Sequence, residues 1–289
     1  MRLRDRVCIV TGATRGLGKQ IASRLWQKGA SLFLVARDSA ALADLAKCLR
    51  GERHGDQKAV IFSSDLSLPA TASELISNVV AEFGAVTALI NNAAIVGPIG
   101  PLWENNFAEW EETIRVNLLA PAQLCALTIP LMQNQGYGKI VNLSGGGATG
   151  PRPYFSAYAT AKVGLVRLTE ILAHETRNMH IDINCIAPGV MATSMLEEIK
   201  AAGPKRVGSN EFAQLQQLPG DPADALDRAA ELAEFLVSAE SDGITGRLIS
   251  AVWDPWQGLP QHRELLGETD IYTLRRIVPK DRGLDWGAD

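Results

Sequence analysis

Residues 7–10, Val-Cys-Ile-Val, form a continuous apolar run that stops at Thr11-Gly12, the pattern of a strand buried on both faces of a parallel sheet. Ile21, Ala22, Leu25 and Trp26 then recur at helical spacing until Gly29 ends the helix. The alternation repeats. Further strands are predicted over 31–36, 58–62, 86–90, 139–143 and 181–186, and helices over 40–49, 70–83, 107–133, 156–176 and 222–238. Joined by right-handed crossovers, these elements predict an α/β fold: a doubly wound parallel sheet of about seven strands flanked by helices. Its ligand should lie beyond the carboxyl ends of the strands.

Two stretches break the rhythm. Residues 192–220 read as short helical pieces interrupted by Gly203, Pro204, Gly208, Pro219 and Gly220, as expected of a lid or binding loop. Residues 253–289 have no clear period and carry Trp253, Trp256 and Trp286, aromatic surface expected to pack on the body or on a second subunit. The expected organisation is therefore one domain over 1–252, including the lid, followed by an atypical C-terminal extension over 253–289.

Composition narrows the class. With 289 residues, 46% of them hydrophobic and 21% charged, the chain can bury one large core without disulfides or metals. A formal net charge of −4 gives no reason to expect nucleic acid or an acidic membrane as partner. Cys8, Cys48, Cys125 and Cys185 lie far apart in apolar surroundings and read as reduced core residues, and the four histidines form no metal-ligand cluster. No run reaches eighteen consecutive apolar residues, and the five-residue apolar strand that follows Arg6 is too short to be expected as a signal peptide. A cytoplasmic protein is expected.

The candidate chemistry sits at the predicted strand ends. Gly12, Gly16 and Gly18, between a strand and a helix, allow a sharp turn and let a pyrophosphate approach backbone N–H groups at the positive end of the helix. At the end of the second strand stands Arg37, with a second cation, Arg15, inside the glycine loop. Two cations there suit a 2′-phosphate, so NADP is expected as cofactor, with NAD the less favoured alternative. Tyr158 and Lys162 are four apart in a helical run, one turn apart on one face. Alone, that spacing far more often marks an ordinary tyrosine beside a solvated lysine. Placed at a site, the ammonium would favour the phenolate and make the pair a proton-transfer device.

Taken together, these motifs resemble a short-chain dehydrogenase/reductase, with its NAD(P)-binding Rossmann fold. The resemblance spans residues 6–250 and rests on Thr11 to Gly18, on Asp65-Leu66, on Asn91-Asn92-Ala93-Ala94, on Asn117, on Tyr158 with Lys162, and on Pro188-Gly189 with Thr193. It implies that Gly12, Arg15, Gly16, Leu17, Gly18, Arg37, Asp65, Leu66, Asn91, Ala93, Tyr158, Lys162, Pro188, Gly189 and Thr193 bind the dinucleotide. It also implies that Tyr158 exchanges the substrate's proton, that Lys162 keeps the phenol acidic, that Asn117 holds a water on the proton path, and that the protein is a homo-oligomer, dimer or tetramer. The implied reaction interconverts a secondary alcohol and a ketone on a small molecule.

One position departs from the family. The usual serine, thirteen residues before the tyrosine, is Gly145, while Ser144 stands one residue earlier. Three arrangements can fill the gap: a register shift that brings Ser144 into the site, backbone N–H groups of Gly145 to Gly147, or the substrate's own hydroxyls together with a neighbour such as Arg152 or Tyr154. The departure also keeps open a catalytically weakened dinucleotide-binding sensor or scaffold; a reductase of carbon–carbon double bonds uses related machinery. Arg275 and Arg276 read as a surface pair or, alternatively, as groups closing the site over a polar, sugar-like substrate.

Overall fold

The computed structural model describes residues 3–52, 55–217 and 222–287. Seven parallel strands, β1 (Val7–Thr11), β2 (Ser31–Ala36), β3 (Ala59–Ser63), β4 (Ala88–Asn91), β5 (Gly138–Leu143), β6 (Ile181–Ala187) and β7 (Leu248–Ser250), form one sheet in the order β3-β2-β1-β4-β5-β6-β7. The order reverses between β1 and β4, where a crevice opens beyond the strand ends. The doubly wound, Rossmann-like sheet expected from the alternation is present.

Both sheet faces are covered, which is why the strands read as unbroken apolar runs. Cys8 and Val10 point into a core with Leu17, Ile21, Leu25 and Trp26 of α1 (Gly16–Gln27) and with Leu232 and Phe235 of α9 (Pro222–Val237). Ile9, between them in β1, points into the opposite core with Leu75 and Val79 of α3 (Thr71–Phe83) and with Leu124 and Met132 of α5 (Ala120–Gln135). At the β3 edge of the sheet lies α2 (Ser39–Gly51), capped by the Asp38 carboxylate, which accepts from the Ala41 N–H at 3.0 Å. Cys48, expected in the core, is exposed on this helix, whereas Cys8, Cys125 and Cys185 are buried.

The helix expected over 107–133 is interrupted. It comprises α4 (Phe107–Ile114), a π turn (Arg115–Leu119) and α5. By length and mean hydropathy, 1.4, the run Phe107–Gln135 could cross a membrane, but here Leu124, Cys125, Thr128 and Met132 pack it into the core. α6 (Ser156–Glu175) lies beside it.

The segment expected to form a lid contains α7 (Ser194–Val207), kinked at Gly203, and α8 (Ser209–Gln216), separated by Gly208 at φ 89°. Residues 218–220 of the expected lid lie outside the described residues.

The C-terminal extension docks through apolar side chains, Trp256, Leu259 and Leu266 joining the core beside α1 and α9, and through its backbone. The Arg247 guanidinium donates to the carbonyls of Leu266, Thr269 and Ile271, next to α10 (Arg263–Glu268). The Leu248 N–H of the edge strand donates to the Tyr272 carbonyl at 2.8 Å, and the Leu274 N–H to Glu170 of α6 at 2.6 Å. Of the three tail tryptophans only Trp256 is buried, 5.5 Å from the Phe235 ring; Trp253 and Trp286 stand exposed. Arg275 pairs with Asp270 and Asp281 within the tail, away from the crevice.

Candidate active site

The crevice is a cleft of about 1100 Å³. At one end its wall is the turn from β1 into α1. Gly12 and Gly16 adopt φ 66° and 51°, the left-handed region that a side chain disfavours. Gly18 has an ordinary φ but no room: a Cβ there would stand 2.2 Å from the Gly12 carbonyl oxygen and 2.5 Å from Asn92 Nδ2. Asn92 itself ties the loop down, donating to the Thr11 carbonyl at 2.9 Å, while Thr11 Oγ1 accepts from the N–H groups of Asn92 and Ala93 at 3.0 Å. Asn92 belongs to the motif Asn91-Asn92-Ala93-Ala94, but only Asn91 and Ala93 of that motif are expected from the sequence to bind the dinucleotide; the structure gives Asn92 the bracing role.

The first turn of α1 has no side-chain cap at Arg15 and no acidic residue. Its N–H groups and the positive end of its dipole therefore face the cleft uncompensated, a cradle suited to an anion. Arg15 and Arg37 line the same end and form no ion pair among the described residues. Asp65 and Leu66 lie there too, one Asp65 carboxylate oxygen accepting from the Ser67 N–H at 2.8 Å. Leu17, Ala93, Pro188, Gly189 and Thr193 complete this wall. The donor set fits a dinucleotide: an open helix end for a pyrophosphate, two unpaired guanidinium groups for a further phosphate, and an acid beyond them.

Gly18, Asn91 and Asn117 do not line the cleft. Gly18 serves the close approach just described. Asn91 faces the core, where its amide donates to Asn142 Oδ1 at 2.8 Å. Asn117, fully buried in the π turn, braces the loop after β4: its amide accepts from the Ile95 N–H at 2.9 Å and donates to the Ile95 carbonyl at 2.8 Å.

At the other end Tyr158 and Lys162 project from α6. Lys162 Nζ donates to the Leu143 carbonyl at 2.7 Å and stands 5.6 Å from the centre of the Tyr158 ring. Burial pushes this ammonium down to about 8. The phenol is also shifted, but upward, because it is only 7% exposed; Arg152, not Lys162, is the cation that opposes the shift. The expectation of a phenol acidified by Lys162 is not met in this structure: desolvation dominates at Tyr158, and burial also disfavours the Lys162 charge without removing it near neutral pH. The Tyr158 hydroxyl has no hydrogen-bond partner among the described residues, and a Cβ on Gly145 would stand 2.3 Å from it.

Ser144 Oγ is buried, lacks a conventional hydrogen-bond partner, and lies against the Cys185 thiol. Ser144 borders the cleft, but its hydroxyl lies on the Cys185 side, consistent with neighbours on an extended chain pointing to opposite faces. Arg152 lies over the Phe155 ring at 3.9 Å and donates through Nε and Nη2 to Glu211 of α8 at 2.8 and 2.5 Å. Arg152 is among the sequence candidates and Glu211 is not, because their pairing joins segments 59 residues apart. Val96, Ile99, Phe155, Leu196, Ile199 and Leu215 enclose Tyr158 in an apolar cluster, and Trp253 stands exposed at the mouth.

This geometry has counterparts among known proteins. The sequence matches the family model described as short chain dehydrogenase over residues 6–203. Human dehydrogenase/reductase SDR family member 4 is 30% identical over 247 residues, 86% of each chain. The levodione reductase of Leifsonia aquatica is 31% identical over 254 residues, covering 86% of this chain and 93% of its own length. The crystal structure of a levodione reductase superposes with a TM-score of 0.78 at 28% identity, over 89% of this chain and 99% of that one. With that match, the glycine turn into α1 and the Tyr158/Lys162 face converging on one cleft, the chain belongs to the short-chain dehydrogenase family of oxidoreductases.

Proposed function

We propose that the protein is an NADP-dependent oxidoreductase that interconverts a secondary alcohol and a ketone, with Tyr158 exchanging the proton at the substrate oxygen. The observation that carries this reading is the Tyr158 hydroxyl, which borders the cleft beside Gly145 with no hydrogen-bond partner among the described residues. A phenol kept neutral by burial is in the state that can give its proton to a developing alkoxide. Lys162, one turn along, presents an ammonium for ribose hydroxyls. The first turn of α1 would hold the pyrophosphate, Asp65 and Leu66 the adenine, and Arg15 with Arg37 the 2′-phosphate. When bound, the nicotinamide ring supplies or accepts the hydride. The apolar cluster of the lid keeps water from the reacting bond. A reduction is supported by the relatives' names, a levodione reductase and, in Thermotoga maritima at 29% identity, a 3-oxoacyl-[acyl-carrier-protein] reductase.

The test is a panel of ketones, polyols and enones offered with NADPH, NADP, NADH and NAD. Turnover of a ketone with NADPH, reduced about 10²–10⁴-fold in kcat by Tyr158→Phe, is expected. NADPH binding with no turnover on any substrate, and unchanged affinity in Tyr158→Phe, would instead point to a sensor; turnover of enones alone would point to a reductase of carbon–carbon double bonds. Sedimentation of the same preparation tests a homo-oligomer, supported by exposed Leu119, Leu127, Val163 and Ile171 on the outer faces of the π turn, α5 and α6. A monomer contradicts it.

A further inference from the structure

We infer that Arg152 supplies the second hydrogen bond to the substrate's carbonyl oxygen, in place of the hydroxyl that Gly145 lacks, and that Glu211 of the lid holds it in position. The inference rests on the oxidoreductase reading above. Neither neighbouring side chain can take this role as the chain stands. Position 145 has none, and the Tyr158 hydroxyl occupies the space where one would begin, 2.3 Å from the ideal Cβ. The Ser144 hydroxyl lies on the Cys185 side.

Arg152 is on the same cleft wall. Its guanidinium carbon stands 5.8 Å from the centre of the Tyr158 ring, and Nη1 lies 3.3 Å from where a Cβ of Gly146 would be. A side chain at 146 would crowd it. Two nitrogens of the planar fork, Nε and Nη2, are anchored on one oxygen of Glu211, while Nη1 has no protein acceptor among the described residues. That division suits a positioned donor: two N–H groups fix the plane and the third stays available to a ligand. The Phe155 ring at 3.9 Å supports the plane from one side.

Glu211 connects this donor to closure. It sits on α8, whose Phe212 and Leu215 pack into the apolar cluster that contains Tyr158. The lid therefore brings the anchor and the water-excluding wall to the site together. As the carbonyl carbon is reduced, negative charge builds on its oxygen, and a cation in this partly enclosed cleft stabilises that charge more than it stabilises the ketone.

The experiment compares the parent protein with Arg152→Met and Arg152→Lys on a ketone that the parent reduces, with NADPH binding and melting temperature measured for each. Arg152→Met is expected to lose about 10²–10³-fold in kcat with its NADPH affinity and fold retained. Added guanidinium ion should restore part of that loss, and Arg152→Lys, which keeps the charge without the fork, should fall between parent and Met variant. A folded Arg152→Met protein with kcat within threefold of the parent, or a loss that guanidinium leaves untouched, overturns the inference while the oxidoreductase reading stands. A parent that reduces no carbonyl defeats that reading and Arg152's role with it.

Discussion

At the glycine-loop end, the wall of the cleft is backbone: positive-φ glycines, open N–H groups, and Gly18 packed against the Gly12 carbonyl. At the Tyr158 end it is side chains drawn from segments far apart in the chain: Val96 and Ile99, Arg152 and Phe155, and Leu196 through Leu215. A backbone wall tolerates little, because its atoms have nowhere to go, but it asks only for glycine and a short-range turn. A side-chain wall can be re-tuned one residue at a time, and its chemistry depends on partners that the local sequence does not announce. The first end should therefore fail abruptly when altered and the second should change by degrees.

The largest effect is expected from Gly18→Val. Its Cβ would meet the Gly12 carbonyl at 2.2 Å and Asn92 Nδ2 at 2.5 Å, so the turn must open or α1 must move. Overpacking of this kind costs about 1–3 kcal/mol. Dinucleotide binding should disappear even if the protein remains folded, because the same displacement disperses the N–H groups at the helix start. Titration with NADPH, followed by fluorescence, and a melting curve check it. Affinity retained within a few-fold would mean that this wall is softer than the contacts imply.

A smaller change, Arg37→Asp, separates charge from shape at the same end. Replacing an unpaired guanidinium at the end of β2 with a carboxylate leaves the glycine turn untouched but repels a 2′-phosphate and accepts a ribose hydroxyl. The parent should prefer NADPH and the variant NADH, with a reversal on the order of 10–100-fold, the size of one to two charge-assisted hydrogen bonds. Equal affinities of the parent for both dinucleotides would remove the argument from charge.

This contrast also explains which parts of the molecule could be read from the sequence. Strand runs such as 7–10 and the glycine turn were legible because sheet burial and left-handed φ are local demands that leave local marks. The π turn at Arg115–Leu119 was not: an apolar helix pattern passes through it without a break, and its reason, Asn117 reaching the Ile95 backbone, lies in another loop. The tail was opaque for a related cause. Arg247 holds part of it by carbonyls, which every residue possesses, and the apolar side chains it buries, Trp256, Leu259 and Leu266, come from short helical pieces too brief to show a period. At the site, Tyr158 and Lys162 could be named, but the direction of the phenol's shift could not, because it is set by burial under Leu196, Ile199 and Leu215 and opposed by Arg152. Spacing on a helix shows that two groups can meet, and the protein around them decides which of them is charged.

The gentlest test asks about that charge directly, through stability. Burial pushes Lys162 down to about 8, against 10.5 when exposed. Between those values the unfolded chain holds a proton at this position that the folded chain has released, so stability rises with pH across the window and is lost as pH falls toward 8. The slope approaches about 1.4 kcal/mol per pH unit at most. Below pH 8 both states are protonated and the dependence fades. The buried thiols Cys8, Cys125 and Cys185, each pushed up to about 12, act in the opposite sense as the unfolded chain loses thiol protons, and Tyr158 joins them above pH 10. Comparison with Lys162→Met removes these shared contributions. Urea denaturation at pH 8, 9 and 10 should show the parent gaining stability relative to the variant at each step. Parallel curves would mean that the ammonium keeps its proton throughout, with the Leu143 carbonyl sustaining the charge that burial opposes.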